Sequence, residues 1–138
     1  MKYFGSVLEF THERNTDLLR AFRVQMLQAR HIRMTDIFSR VVQMPSSRFW
    51  VSEERAAIVV SSMLHGRPLT GMRESKKRMF REIYRRVVIL RAADARRPLS
   101  DIVSEVIHQP APSFYMSPGS AKEIIYRIKR GYYNDKRI

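Results

Sequence analysis

The chain contains no cysteine, which removes disulfides and thiolate metal sites from consideration. It has no apolar run near the roughly 18 residues that span a bilayer as a helix. Its opening stretch, MKYFGSVLEFTHERN, lacks the apolar core and small-residue cleavage site of a signal peptide, so an intracellular, cytoplasmic setting is expected. Acidic residues are scarce: 13 Asp and Glu stand against 26 Lys and Arg, for a formal net charge of +13. Aromatic residues make up 10% of the 138 positions and hydrophobic residues 44%, enough for a packed core rather than a disordered polyelectrolyte.

The usual catalytic patterns are missing as well. His12, His31, His65 and His108 show neither HxxxH nor HExxH spacing, and no acidic cluster has the pattern of a calcium or magnesium loop. Gly66 and Gly71 do not build a GxxxxGK[ST] phosphate loop, and no serine sits in a GxSxG elbow. Asp36 and Asp101 read as first-turn residues favoured by the helix dipole. The chain is therefore expected to be no enzyme and to need no cofactor or metal.

What is present is an internal repeat. Shifted by 65 residues, Asp36–Gly66 overlies Asp101–Gly131 without a gap, and nine of 31 positions are identical, among them Pro45/Pro110, Phe49/Phe114, Ser52/Ser117 and Gly66/Gly131. Such self-similarity points to one supersecondary unit used twice. The expected fold is all-α: a tandem duplication of a three-helix unit packed as one globular body, with an N-terminal arm or short element over 1–14, a first repeat over 15–66 and a second over 67–138.

Each copy reads as three helices. The first runs from about Thr16 to Ala29, with Leu18, Leu19, Phe22 and Met26 at helical spacing, and its counterpart from about Glu74 to Arg91, with Phe80, Ile83, Tyr84, Val87 and Val88. The second starts at an N-cap, Thr35 or Ser100, and stops before Pro45 or Pro110. The third starts at Ser52 or Ser117 and ends at Gly66 or Gly131, residues suited to a left-handed C-terminal position. Its apolar set Ala56, Val59, Val60, Met63 recurs as Ala121, Ile124, Ile125, Ile128. The loop HGRPLTG at 65–71 is expected to join the copies. Phe49-Trp50 and Phe114-Tyr115 read as wedges between helices; base-stacking platforms are the functional alternative.

Charge is uneven along the chain. Residues 1–14 sum to 0, 15–66 to +3 and 67–138 to +10, which suggests an anionic partner for the second repeat. In RESKKRMFREIYRR, Arg73, Lys77, Arg81 and Arg85 recur every four residues as a row suited to phosphates. Glu74/Arg78 and Glu82/Arg86 have the i,i+4 spacing of an ordinary solvated face. In the last helix Lys122, Tyr126, Lys129, Arg130 and Tyr133 lie outside the apolar set, a mixture that suits phosphate and base contacts. Ser117, Gly119 and Ser120 are candidates to cradle a phosphate at its N-terminus; the equivalent start in the first copy carries Glu53 and Glu54.

A capped third helix following a turn resembles a helix-turn-helix unit, although the stretch from Met44 to Ser52 exceeds that motif's 3–4-residue turn. The paired P-x-x-x-F-[WY]-[VM]-S pattern is similar to one in small uncharacterised basic two-repeat helical proteins of Bacteroides-type bacteria. That resemblance implies no site residues. The expected function is nucleic-acid binding, with DNA as the target and the second repeat on the phosphate backbone. The alternative is a protein-interaction or assembly module working through the first repeat. Membrane association ranks last, because Ile124, Ile125 and Ile128 are required for the core.

Overall fold

The structure, a computed structural model, describes residues 10–131. Among them are six α-helices and no strand: α1 Thr11–Gln28, α2 Met34–Gln43, α3 Glu53–Leu64, α4 Glu74–Ala93, α5 Leu99–Ile107 and α6 Pro118–Lys129. None is long and apolar enough to cross a membrane. The described residues are all-α, as the helical spacing of the apolar positions predicts. Residues 11–14, expected within an N-terminal arm, form the first turn of α1; residues 1–9 of that arm lie outside the described part.

Two helix starts differ from expectation. Residue Arg33 caps α2 and Pro98 caps α5, each without a side-chain hydrogen bond. Thr35 and Ser100 therefore sit inside the first turn, where an added residue or two of helix is tolerated. The third helices start as their sequence dictates. The Ser52 hydroxyl oxygen accepts from the Arg55 N–H, and that of Ser117 from the Ser120 N–H, both at 3.1 Å. Gly66 (φ 78°) and Gly131 (φ 75°) occupy the left-handed region just past these helices. There their N–H groups reach the carbonyls of Met63 and Ile128, a role for which glycine has no Cβ penalty.

The six helices divide into two compact units, and the division does not follow the sequence halves. One unit contains residue 10 and Ser47–Ala111, hence α3, α4 and α5; the other contains Thr11–Ser46 and residues 112–131, hence α1, α2 and α6. The expected contiguous repeats, 15–66 and 67–138, are thus not the compact bodies: each third helix packs with the first two helices of the other stretch. The loop at 65–71, expected to join two copies, lies inside one unit. The physical reason is the linker. Pro45 ends α2, Met44 is already extended (φ −72°, ψ 151°), and the eight residues 45–52 leave the third helix free to join a core other than that of the second. A 3–4-residue turn would have kept them together. For the same reason α2 and α3 do not form a helix-turn-helix pair.

Within the first unit α4 and α3 both pack on α5, and α3 on α4. The core is made of Phe49, Val60, Met79, Ile83, Val87, Ile102 and Ile107, all at most 1% exposed. The Phe49 N–H donates to the Ile107 carbonyl at 3.0 Å, tying the linker to the end of α5. In the second unit α2 packs on α1 and α6, and α1 on α6. Its core holds Leu18, Phe22, Ile37, Phe38, Val41, Phe114 and Ile125, with the Phe22 and Phe38 rings stacked at 5.6 Å. Its matching bond runs from the Phe114 N–H to the Val42 carbonyl, also at 3.0 Å.

A second pair of contacts has the same form. In one unit Arg20 is held by Asp17 at 2.7 Å and donates to the Pro45 carbonyl at 3.2 Å. In the other Arg86 is held by Glu82 at 2.8 Å and donates to the Pro110 carbonyl at 3.0 Å. Each arginine places a cation at the C-terminal end of a second helix, where orphan carbonyls concentrate negative potential.

Candidate nucleic-acid interface

The linker aromatics are structural. Phe49, Trp50, Phe114 and Tyr115 are all buried, none above 9% exposure, as packing residues are, with Trp50 also lining a groove of its unit. The Arg48 guanidinium lies over Trp50 at 5.2 Å and over Phe10 at 5.5 Å while donating to the carbonyls of Phe49 and Val51. Tyr115 adopts a positive φ of 53°, supported by its N–H donating to the Ser113 hydroxyl at 3.1 Å.

The α4 cations separate into distinct environments. At about 100° per residue, the four-residue row from Arg73 to Arg85 drifts round the helix instead of lying on one line. Arg73 is the exposed N-cap residue. Lys77 is half-buried, 3.6 Å from Glu74, so Glu74 pairs one residue earlier than the expected Arg78. Arg81 and Arg78 are exposed and make no ion pair among the described residues. Arg85 grips Glu82 through two bonds, 2.7 and 3.1 Å, and Arg86 takes the same carboxylate. The Arg85 hydrogen bonds, with Arg86 adding to them against partial desolvation, hold the Glu82 carboxyl down at about 2. Arg85 is therefore already half-neutralised, which weakens its assignment as a phosphate contact.

The α6 candidates are also partly committed. The Ser117 hydroxyl accepts the Ser120 N–H and donates to the Ser120 hydroxyl at 3.0 Å. The cap consumes two of the donors that a phosphate cradle at Ser117, Gly119 and Ser120 would need, the Ser117 hydroxyl and the Ser120 amide, and leaves the Gly119 amide and the Ser120 hydroxyl hydrogen. Tyr126 is half-buried, its ring edge-on to Phe38 at 5.9 Å, with the Lys122 ammonium 5.8 Å above it. The Lys129 ammonium lies over Phe22 at 4.8 Å; Lys129 and Arg130 are both exposed residues. Tyr133 lies outside the described residues.

The α4 and α6 candidates belong to different units, which changes the meaning of the charge imbalance. Among the described residues the α3–α5 unit has thirteen cations against seven carboxylates, and the α1, α2 and α6 unit has ten against four, a surplus of +6 in each. The asymmetry between sequence halves is absent from the folded units because the basic α6 packs with the less basic α1 and α2.

Two grooves carry cations. In the first unit a groove of about 550 Å³ is flanked by Arg55, Arg73 and Lys76 over a floor of Met79 and Phe80. In the second a groove of about 610 Å³ at the α1–α2 turn is lined by Arg30, His31, Arg33 and Arg40 with one carboxylate, Asp36. This second cluster was missed by sequence reasoning, although the run RHIR between two helices was a visible signal. No group of three or more His, Asp or Glu suited to a metal ion occurs among the described residues. No family model, curated protein or solved structure matches the chain.

Proposed function

We propose that the protein binds nucleic acid, with duplex DNA as the target, mainly through its phosphate backbone. The observation that carries this reading is the surplus of +6 in each unit among the described residues, together with exposed cations on α4 (Arg78, Arg81) that no carboxylate of the described residues pairs with. Cations left unpaired on a helix face repel one another; a polyanion relieves that repulsion and releases its own condensed counterions. Arg73, Arg78 and Arg81 on α4, with Lys129 and Arg130 on α6, are the contacts assigned to phosphate.

The repeat supports a matching architectural reading. The chain is a tandem duplication in which the two copies exchange their third helices, as the paired Phe49–Ile107 and Phe114–Val42 bonds suggest. Two units of similar charge then offer DNA two comparable surfaces.

The test is a titration of duplex, single-stranded DNA and RNA at about 50 and 200 mM salt. Each phosphate contact contributes about 0.9 to the slope of log affinity against log salt, so five contacts give a slope of about −4 to −5. Absence of binding to all three nucleic acids at the lower salt rejects the reading.

A further inference from the structure

The two most exposed large apolar side chains among the described residues are Leu27 and Ile32, at 86% and 58%. Leu27 lies in the last turn of α1 and Ile32 in the turn that follows, each next in sequence to residues that line the α1–α2 groove, Gln28, His31 and Arg33, while neither lines it itself. Arg30, Arg33 and Arg40 line that groove and are exposed. None of the three makes an ion pair among the described residues, and Asp36 is the single carboxylate on the lining.

We infer that the α1–α2 turn is a wedge for duplex DNA. Arg30, Arg33 and Arg40 hold phosphates on either side of the groove, and Leu27 and Ile32 enter a base step and part its stack. This rests on the nucleic-acid reading and goes further, since it assigns a place and a deformation of the duplex. Proteins that bend DNA insert apolar side chains of this size between bases, flanked by cations that follow the backbone. A flexible pyrimidine–purine step is the cheapest place to do so. Charge complementarity and the size of the tip select this occupant over a bilayer. Two aliphatic side chains bury less hydrocarbon than one myristoyl chain, which by itself gives only marginal membrane binding, whereas parting one base step takes no more than one or two such side chains.

The experiment uses the full chain and an end-labelled duplex of about 20 base pairs containing central TA steps, read by energy transfer between its ends and by affinity at several salt concentrations. The wild type is expected to shorten the end-to-end distance. The variant L27S/I32S is expected to lose the shortening and about tenfold in affinity, with its salt slope unchanged. Variant R30Q/R33Q/R40Q is expected to lower the slope by about 2 to 3. Both variants alter exposed side chains, so helix content and the unfolding midpoint stay at wild-type values and report any folding defect directly. Binding and shortening that survive in L27S/I32S overturn the wedge while leaving nucleic-acid binding intact. Absence of wild-type binding overturns both. If L27S/I32S bends DNA normally but no longer sediments with phosphatidylserine vesicles that capture the wild type, the tip serves a lipid surface and the proposal fails.

Discussion

The Phe49 N–H donates to the Ile107 carbonyl at 3.0 Å, 58 positions along the chain, and the equivalent Phe114 N–H reaches back to the Val42 carbonyl at the same distance. Each linker is thus fastened to a second helix that is not the one it follows. The ring beside the first bond is 1% exposed and lies under the Arg86 guanidinium at 5.0 Å. Replacing Phe49 with Ala removes a fully buried ring and leaves a cavity at the point where α3 enters its unit. A loss of about 3–5 kcal/mol is expected in urea unfolding, against well under 1 kcal/mol for Ile58→Ala, an exposed site on α3.

Arg86 and Arg85 share one carboxylate but differ in what else they hold. Arg86 also donates to the Pro110 carbonyl and to the Gln109 side chain. R86A should cost about 1.5–3 kcal/mol, since a charged donor is taken from the partly buried Glu82 and Gln109 oxygens as well as from the Pro110 carbonyl, and R86K should restore little because an ammonium lacks the planar fork. R85A, at an exposed site, should leave the unfolding midpoint close to that of the wild type. Equal losses in thermal unfolding would contradict this division.

Glu82 gives a signed pH dependence. Its folded value is about 2 against an ordinary 4.5. The unfolded state binds its proton first, so the stabilisation is complete above about pH 4.5 and is lost as the pH falls towards 2. Unfolding midpoints measured from pH 6 down to 2 should fall in this window. In E82Q the part due to this residue should disappear, at the expense of lower stability at neutral pH.

Ser117 separates cap from ligand site. With its hydroxyl bonded to the Ser120 amide and hydroxyl, S117A should cost about 1 kcal/mol of stability and leave DNA affinity unchanged when measured well below the unfolding midpoint. A selective loss of affinity with no change in stability would restore Ser117 as a phosphate contact.

On α4 the cations without a carboxylate partner should matter most for binding. R78Q/R81Q is expected to reduce the salt slope by about 2 and to weaken all duplex sequences alike, as backbone contacts do. An unchanged slope would place the phosphates elsewhere.

Local features were legible because they depend on neighbours in the chain. Ser52 and Ser117 cap, Gly66 and Gly131 terminate, and Ile37, Val41, Ile102 and Val106 point inward as their spacing requires. Thr35 and Ser100 misled because a good capping residue is also tolerated one or two positions into a helix. At the site, Arg81 and Arg130 were legible as exposed cations, but only the fold revealed Glu82 holding Arg85 and the Phe38 ring standing at 80° to Tyr126. The Arg30–Arg40 groove escaped notice because its residues come from a helix end, a turn and the next helix, and no single periodicity joins them.

The amino-acid sequence by itself determined that the chain is helical, where most helices stop, which stripe of each is apolar and that cations outnumber carboxylates two to one. Only the tertiary structure decided which helices share a core. An amphipathic stripe specifies that a face must be covered, not what covers it, and Ala56, Val59, Val60 and Met63 present nearly the same stripe as Ala121, Ile124, Ile125 and Ile128. With two such helices in one chain, a hydrophobic pattern cannot distinguish them. The choice fell to the long proline-started linkers, which carry each third helix to the other pair and distribute the positive charge evenly between the two units.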